Sequence, residues 1–120
     1  MDAFYNAIRK ELSMIKGDTL AFNFQLQGLS GVDPASVYFT CREKPESASY
    51  YFQRSLGNGV NRIEYDSEKD ILTYSVRVRP EDTANITAGR YYYDLQITVD
   101  GDILTLMKGR INIEWEVTRG

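Results

Sequence analysis

Arg90-Tyr91-Tyr92-Tyr93-Asp94-Leu95-Gln96-Ile97-Thr98-Val99-Asp100-Gly101 decides how this chain is read. Tyr91, Tyr93, Leu95, Ile97 and Val99 alternate with Tyr92, Asp94, Gln96 and Thr98, so one face is apolar and the other mostly polar. That period of two marks a strand with one buried face, and Asp100-Gly101 marks a hairpin reversal behind it. Upstream, Pro80-Glu81-Asp82-Thr83-Ala84 opens a short helical turn whose carboxylates face unpaired N–H groups, and Ala88-Gly89 bends the chain into the strand. Downstream, Leu104 and Leu106 share one phase, and Ile111, Ile113, Trp115 and Val117 share the opposite one. Gly109 stands at the change, the place expected for a β-bulge or a strand crossing between sheets.

The same alternation spreads through most of the chain. Lys16-Gly17-Asp18 turns into a strand with Leu20, Phe22, Phe24 and Leu26 on one face. After a loop over Gly28 to Pro34, Val37, Phe39 and Cys41 mark a second strand, which must stop before Pro45. Tyr50 to Arg54 forms another, and Gly57-Asn58-Gly59 reads as a hairpin turn. Val60, Ile63 and Tyr65 suggest a short strand with a bulge, followed by one with Leu72, Tyr74, Val76 and Val78 inward. Seven or eight short strands with turns every eight to twelve residues are expected of an antiparallel β-sandwich, here spanning 13–120. No segment after Leu12 has the helical period that a parallel α/β fold would need.

Residues 1–12 read differently. Phe4, Ala7, Ile8 and Leu12 make a short apolar stripe at helical spacing, with Asp2 as a possible cap. The expectation is a short N-terminal amphipathic helical arm, packed either across its own domain or on a neighbouring subunit.

Composition narrows the function. The 120 residues hold 14 basic and 17 acidic side chains, a net charge of −3, and no stretch of Lys or Arg beyond Arg9-Lys10. Phosphate backbones need a basic patch, so no nucleic acid is expected as ligand. No apolar run reaches the length of a membrane span, so no membrane partner is expected either. One cysteine, Cys41, rules out an intrachain disulfide and sits in the apolar phase of its strand, as a small core residue would.

Catalytic chemistry finds little to use. The chain has no histidine, which removes Ser-His-Asp and Cys-His mechanisms and leaves no zinc ligand set. Gly57-Asn58-Gly59 lacks the context of a phosphate-cradling loop. Asp66, Glu68 and Asp70 alternate as in a calcium loop but lack its glycine and closing glutamate, so they read as solvated turn charges. Glu114 and Glu116 flank Trp115 as ordinary surface rather than as a glycosidase pair. No catalytic residue, cofactor or metal is expected.

Aromatic residues are the better binding material, with nine tyrosines and five phenylalanines. Tyr50, Tyr51 and Phe52 put rings on both faces of one strand, and Tyr92 points away from Tyr91 and Tyr93. An outward tyrosine beside Asp94 and Gln96 can hold a partner protein, stack on a sugar ring, or pair across strands to stabilise the sheet. The bend before Tyr91 is similar to the tyrosine corner of immunoglobulin-like domains, a structural role.

Three segments together carry a family resemblance: Lys16-Gly17-Asp18-Thr19-Leu20-Ala21-Phe22, Val76-Arg77-Val78-Arg79-Pro80-Glu81-Asp82-Thr83-Ala84, and Ala88-Gly89-Arg90-Tyr91-Tyr92-Tyr93-Asp94-Leu95-Gln96-Ile97. They resemble small immunoglobulin-like β-sandwich proteins of bacteriophage and prophage tails and baseplates, the N-terminal domain of baseplate upper proteins in particular. The resemblance covers roughly Met14 to Val117, and its motifs specify a domain type better than a duty. It implies a non-enzymatic virion structural protein, assembled in the bacterial cytoplasm, that contacts other tail or baseplate proteins and forms a homo-oligomer. Baseplate upper proteins usually continue into a longer trimerising or receptor-linking region, and this sequence stops soon after its last strand, so the expectation is either a free-standing small structural protein or a receptor-facing part encoded by another gene. The candidate interface residues are Phe4, Ile8, Tyr51, Tyr92, Asp94 and Gln96. The alternative is a carbohydrate-binding or adhesion module using Tyr51, Tyr92 or Trp115.

Overall fold

A computed structural model describes residues 8–115. It is all-β. In chain order the elements are β1 (Ile8–Arg9), β2 (Leu12–Ile15), β3 (Leu20–Gln27), β4 (Ser36–Arg42), β5 (Phe52–Leu56), β6 (Gly59–Asp66), β7 (Ile71–Val78), the one-turn helix α1 (Pro80–Thr83), β8 (Gly89–Val99) and β9 (Asp102–Glu114). They form one hydrogen-bonded sheet in the order β1-β9-β8-β4-β5-β6-β7-β3, with β2 also paired to β9. The sheet folds back on itself into a nearly barrel-like shape. Among the described residues, the strand pairing between its two limbs, β9-β8-β4-β5 and β6-β7-β3, runs through Ser55↔Gly59 and Leu56↔Val60.

The core forms where the inward phases of the limbs meet. Val37, Phe39 and Cys41 from β4 and Leu72, Tyr74, Val76 and Val78 from β7 are all 0% exposed. Each large apolar side chain removed from water in this way contributes roughly 1.5–3 kcal/mol before the entropy of ordering is charged against it. Phe22 on β3 meets Phe39 on β4 edge-on, with ring centroids 5.4 Å apart, and this contact ties the limbs together. Cys41 lies in this core, where burial pushes its thiol up to about 12. The hairpin β8–β9 turns through Asp100 (φ 52°) and Gly101 (φ 83°), the left-handed pair that a two-residue hairpin of matching twist requires.

Several details depart from the sequence reading. The described part of 1–12 is not helical: Ile8 and Arg9 pair in parallel with Met107 and Lys108, and Leu12 opens a second parallel run against Ile111. Pairing along a ready strand outweighs the weak propensity of so short a helix. Phe4 lies outside the described residues. The strand expected at Tyr50 starts at Phe52, leaving Tyr50 and Tyr51 in the preceding loop.

Gly57-Asn58-Gly59 is a tight turn, but the strands flanking it pair in parallel, so it is a corner between limbs rather than a hairpin. The bulge in β9 falls at Leu106, because Leu95 pairs with Met107 while Gln96 pairs with Thr105. Gly109 has another role: a Cβ there would meet the Lys10 carbonyl oxygen at 2.4 Å. That carbonyl accepts the Tyr93 hydroxyl at 2.6 Å, so the bare glycine lets the N-terminal strand close over the core. The expected bulge in β6 is present, at Ile63.

Candidate functional site

Cross-strand register assembles a patch on the outer face of the larger limb. Thr40 on β4 pairs with Asp94 on β8, Asp94 with Lys108 on β9, and Lys108 with Arg9 on β1. One row of the sheet thus reads Thr40, Asp94, Lys108, Arg9. The next reads Arg42, Tyr92, Arg110, and the row on the other side reads Tyr38, Gln96, Thr105. Side chains two apart on a strand share a face, which brings these rows together.

Between them lies a groove of about 270 Å³ lined by Arg9, Thr40, Arg42, Pro45, Tyr92, Tyr93, Asp94, Lys108 and Gly109. Pockets for drug-sized ligands usually span about 300–1,000 Å³, so this one suits a single side chain or sugar ring rather than a cofactor. Asp94 is half-buried in it. Desolvation raises its pKa above the ordinary aspartate value, partly offset by Arg42 and Lys108. Among the described residues its carboxylate makes no hydrogen bond and no ion pair, since the ion pairs are Arg54–Asp82, Arg62–Asp33 and Arg90–Glu11. A partly desolvated carboxylate without a partner is costly to the fold, and such groups concentrate at binding sites.

The rest of the patch is partly spoken for. The Arg110 guanidinium sits 5.5 Å from the centroid of the Tyr92 ring, a cation–π contact that occupies one face of the ring. Gln96 donates to the Thr105 hydroxyl at 3.2 Å. The Gln53 amide donates to the Thr40 hydroxyl at 3.0 Å, and Arg42 Nε donates to the Ser47 carbonyl at 3.2 Å. Gln96, Tyr92 and Asp94 are therefore neighbours on one face, as their common phase implies.

Other candidates fall elsewhere. Tyr51 packs edge-on against the inward-facing Tyr91, with centroids 5.0 Å apart, away from the outer face. Ile8 pairs through its backbone with Met107. Tyr91 and Tyr93 are core residues, and the Tyr91 hydroxyl donates to the Thr87 carbonyl just upstream in the bend before β8. Trp115 falls just past the end of β9 and is 72% exposed, while Glu116 lies outside the described residues.

The turn carboxylates are structural. Asp66 accepts from the Glu68 and Lys69 amides, and Asp70 accepts from the Ser30 amide and the Tyr65 hydroxyl. The groove residues Arg9, Arg42 and Lys108, and Arg110 beside them, escape sequence reading, because only the registers of β1, β4, β8 and β9 bring them together. Their outward phase is the one signal the sequence offers.

No protein-family model matches the chain, and no curated protein matches it.

Proposed function

We propose that the chain is a non-enzymatic binding and assembly module of a phage or prophage virion, in the tail or baseplate, which engages a partner protein through the outer face of β9-β8-β4. The observation that carries the binding role is Asp94, a half-buried carboxylate left without a partner in a groove edged by Arg9, Arg42 and Lys108. A partner that inserts a Lys or Arg toward Asp94 and sets a carboxylate against the rim cations satisfies both sets of charges. The phage assignment is supported by the resemblance of the segments around Lys16, Pro80 and Tyr91. Immunoglobulin-like topology is part of the same reading. Two facing limbs, a parallel pairing of β2 with the last strand and the Tyr91 corner all suit it.

The test is reconstitution with the tail proteins encoded beside this chain, read by light scattering. Arg42→Glu combined with Lys108→Glu is expected to abolish the complex; it sets two more carboxylates beside Asp94 and so lowers the melting temperature, and a cooperative melt checks that the variant still folds. A parent protein that binds none of those partners overturns the reading.

Glycan binding is the second reading, favoured by the side-by-side placement of Tyr92 and Asp94. Arg110 competes with a sugar for the Tyr92 ring, which is why the protein partner is preferred. Binding on a glycan array that Tyr92→Ala abolishes would reverse that order.

A further inference from the structure

We propose that β3 is a homodimerisation edge, along which two copies of the chain pair their β3 strands antiparallel about a two-fold axis through Asn23. The proposal goes beyond the groove and does not depend on it.

β3 ends the sheet, paired on one side to β7 in eight unbroken register pairs from Leu20↔Val78 to Gln27↔Ile71. Among the described residues no strand covers its other side. A strand of this length presents alternate N–H and C=O groups outward along its free edge. Soluble proteins blunt such edges with charge, proline, bulges or shortness. The edge at β1 follows that rule, with Arg9, Lys10 and Glu11 in sequence. The edge at β3 breaks it. Leu20-Ala21-Phe22-Asn23-Phe24-Gln25-Leu26-Gln27 holds no charge and no proline, and no bulge interrupts it. Its inward residues Leu20, Phe22 and Phe24 are only partly buried against the core, so the apolar interior is left open along this side.

The sequence of the edge identifies its occupant. Read outward from Asn23 in both directions, the inward phase of β3 repeats itself, Phe22 with Phe24 and Leu20 with Leu26, while the outward positions Ala21 and Gln25 differ. In an antiparallel pair centred on Asn23, Leu20 faces the other copy's Leu26, Phe22 its Phe24, and Asn23 its own counterpart. Every inward side chain meets an inward apolar one, so register and face agree without a slip. No like charges oppose, and two-fold pairing of a patch with itself is the usual form of a symmetric dimer. Gln25 and Gln27 donate back across their own sheet, to the Thr73 hydroxyl and the Lys69 carbonyl, which leaves the centre of the edge to Asn23. Among the described residues the Asn23 side chain makes no hydrogen bond. An amide carries both donor and acceptor, so two of them across the axis complete each other.

Sedimentation of the whole chain across a concentration series tests this, with Asn23→Lys, Asn23→Asp and Asn61→Lys beside the parent. Asn23 and Asn61 are exposed, so the variants are expected to fold, as melting curves will verify. The parent is expected to dimerise reversibly, with β3 amides gaining protection from exchange as concentration rises. Asn23→Lys and Asn23→Asp should each weaken the dimer by about tenfold or more, because like charges then face each other. Mixing the two should restore a heterodimer that salt weakens, whereas Asn61→Lys should leave dimerisation unchanged. Three results each overturn the proposal: a parent that is monomeric throughout, a dimer indifferent to charge at Asn23, or variants that fail to rescue each other on mixing. The groove variant Arg42→Glu/Lys108→Glu should still dimerise, which separates failure here from failure of the partner reading.

Discussion

Arg54 and Asp94 both carry charges drawn partly out of water on the same folded sheet, yet the protein treats them oppositely. At the corner between the limbs, Arg54 is bonded at all three of its guanidinium nitrogens. Its Nη1 donates to Asp82 Oδ1 at 3.0 Å and Oδ2 at 3.3 Å, its Nη2 to Asn58 Oδ1 at 2.6 Å, and its Nε to the Asn58 carbonyl at 3.3 Å. Asp82 also accepts the Arg79 amide at 2.8 Å, capping α1. On the outer face, Asp94 has cations nearby and bonds to none of them. Charges at the corner are consumed by the fold, whereas the Asp94 carboxylate, among the described residues, has no hydrogen bond or ion pair. The contrast separates structural polar groups from candidate functional ones without any appeal to residue type.

Breaking the corner gives the largest effect. The side chains of Arg54 and Asp82 are 8% and 11% exposed, so Asp82→Ala strands a buried guanidinium. The expected loss is about 3–5 kcal/mol in urea unfolding. Arg54→Met combined with Asp82→Leu should recover much of that loss, since an apolar pair has no charge to desolvate. A loss below about 1 kcal/mol for Asp82→Ala would mean that the corner is no more structural than the groove.

Next comes the seam beneath the groove. Gly109→Ala pushes a methyl group into the Lys10 carbonyl, and overpacking of this kind costs about 1–3 kcal/mol. The damage should be local. The Lys10 amide, which donates to the Lys108 carbonyl at 3.1 Å, should exchange faster while β7 amides change little. Smaller again is Tyr91→Phe, which removes one hydroxyl from the bend before β8. The Thr87 carbonyl loses its donor, at a cost of about 1 kcal/mol in the free energy of unfolding. Tyr92→Phe, on the outer face, should cost nothing measurable.

The contrast also shows what sequence can carry. β8, its reversal at Asp100-Gly101 and the inward sets of β3, β4 and β7 are legible because a one-sided strand must alternate. Glu81-Asp82 announces a helix start, though not that Asp82 reaches across to Arg54 from 28 residues away. The stretch from Phe4 to Leu12 fits a helical stripe, but no local pattern records that β9 offers Leu12 and Met14 a parallel partner. Gly57-Asn58-Gly59 specifies a turn and is silent about which limb the next strand joins. Tyr92, Asp94 and Gln96 are visible as an outward set, whereas Arg42 and Lys108 become their neighbours only through long-range register. Which face a charge lies on is readable from its phase; which partner it meets across the sheet is not.

A small effect at Asp94 is the most direct test of the groove, because its sign runs against ordinary mutational damage. Burial raises the Asp94 pKa above its unfolded value, so the folded state prefers the protonated acid. The contribution of this group is therefore fully present below the unfolded aspartate pKa, about 3.9, and is lost as pH rises through the folded value. At neutral pH the ionised carboxylate is a burden on stability. Asp94→Asn should then raise the unfolding free energy at pH 7, by well under about 1 kcal/mol given the solvent at the groove mouth. That gain should vanish as pH falls below about 4. A gain that persists in acid would come from packing rather than charge. A loss at neutral pH would mean that Arg42 and Lys108 already hold the carboxylate, and the groove would then be as fully consumed by the fold as the corner around Arg54.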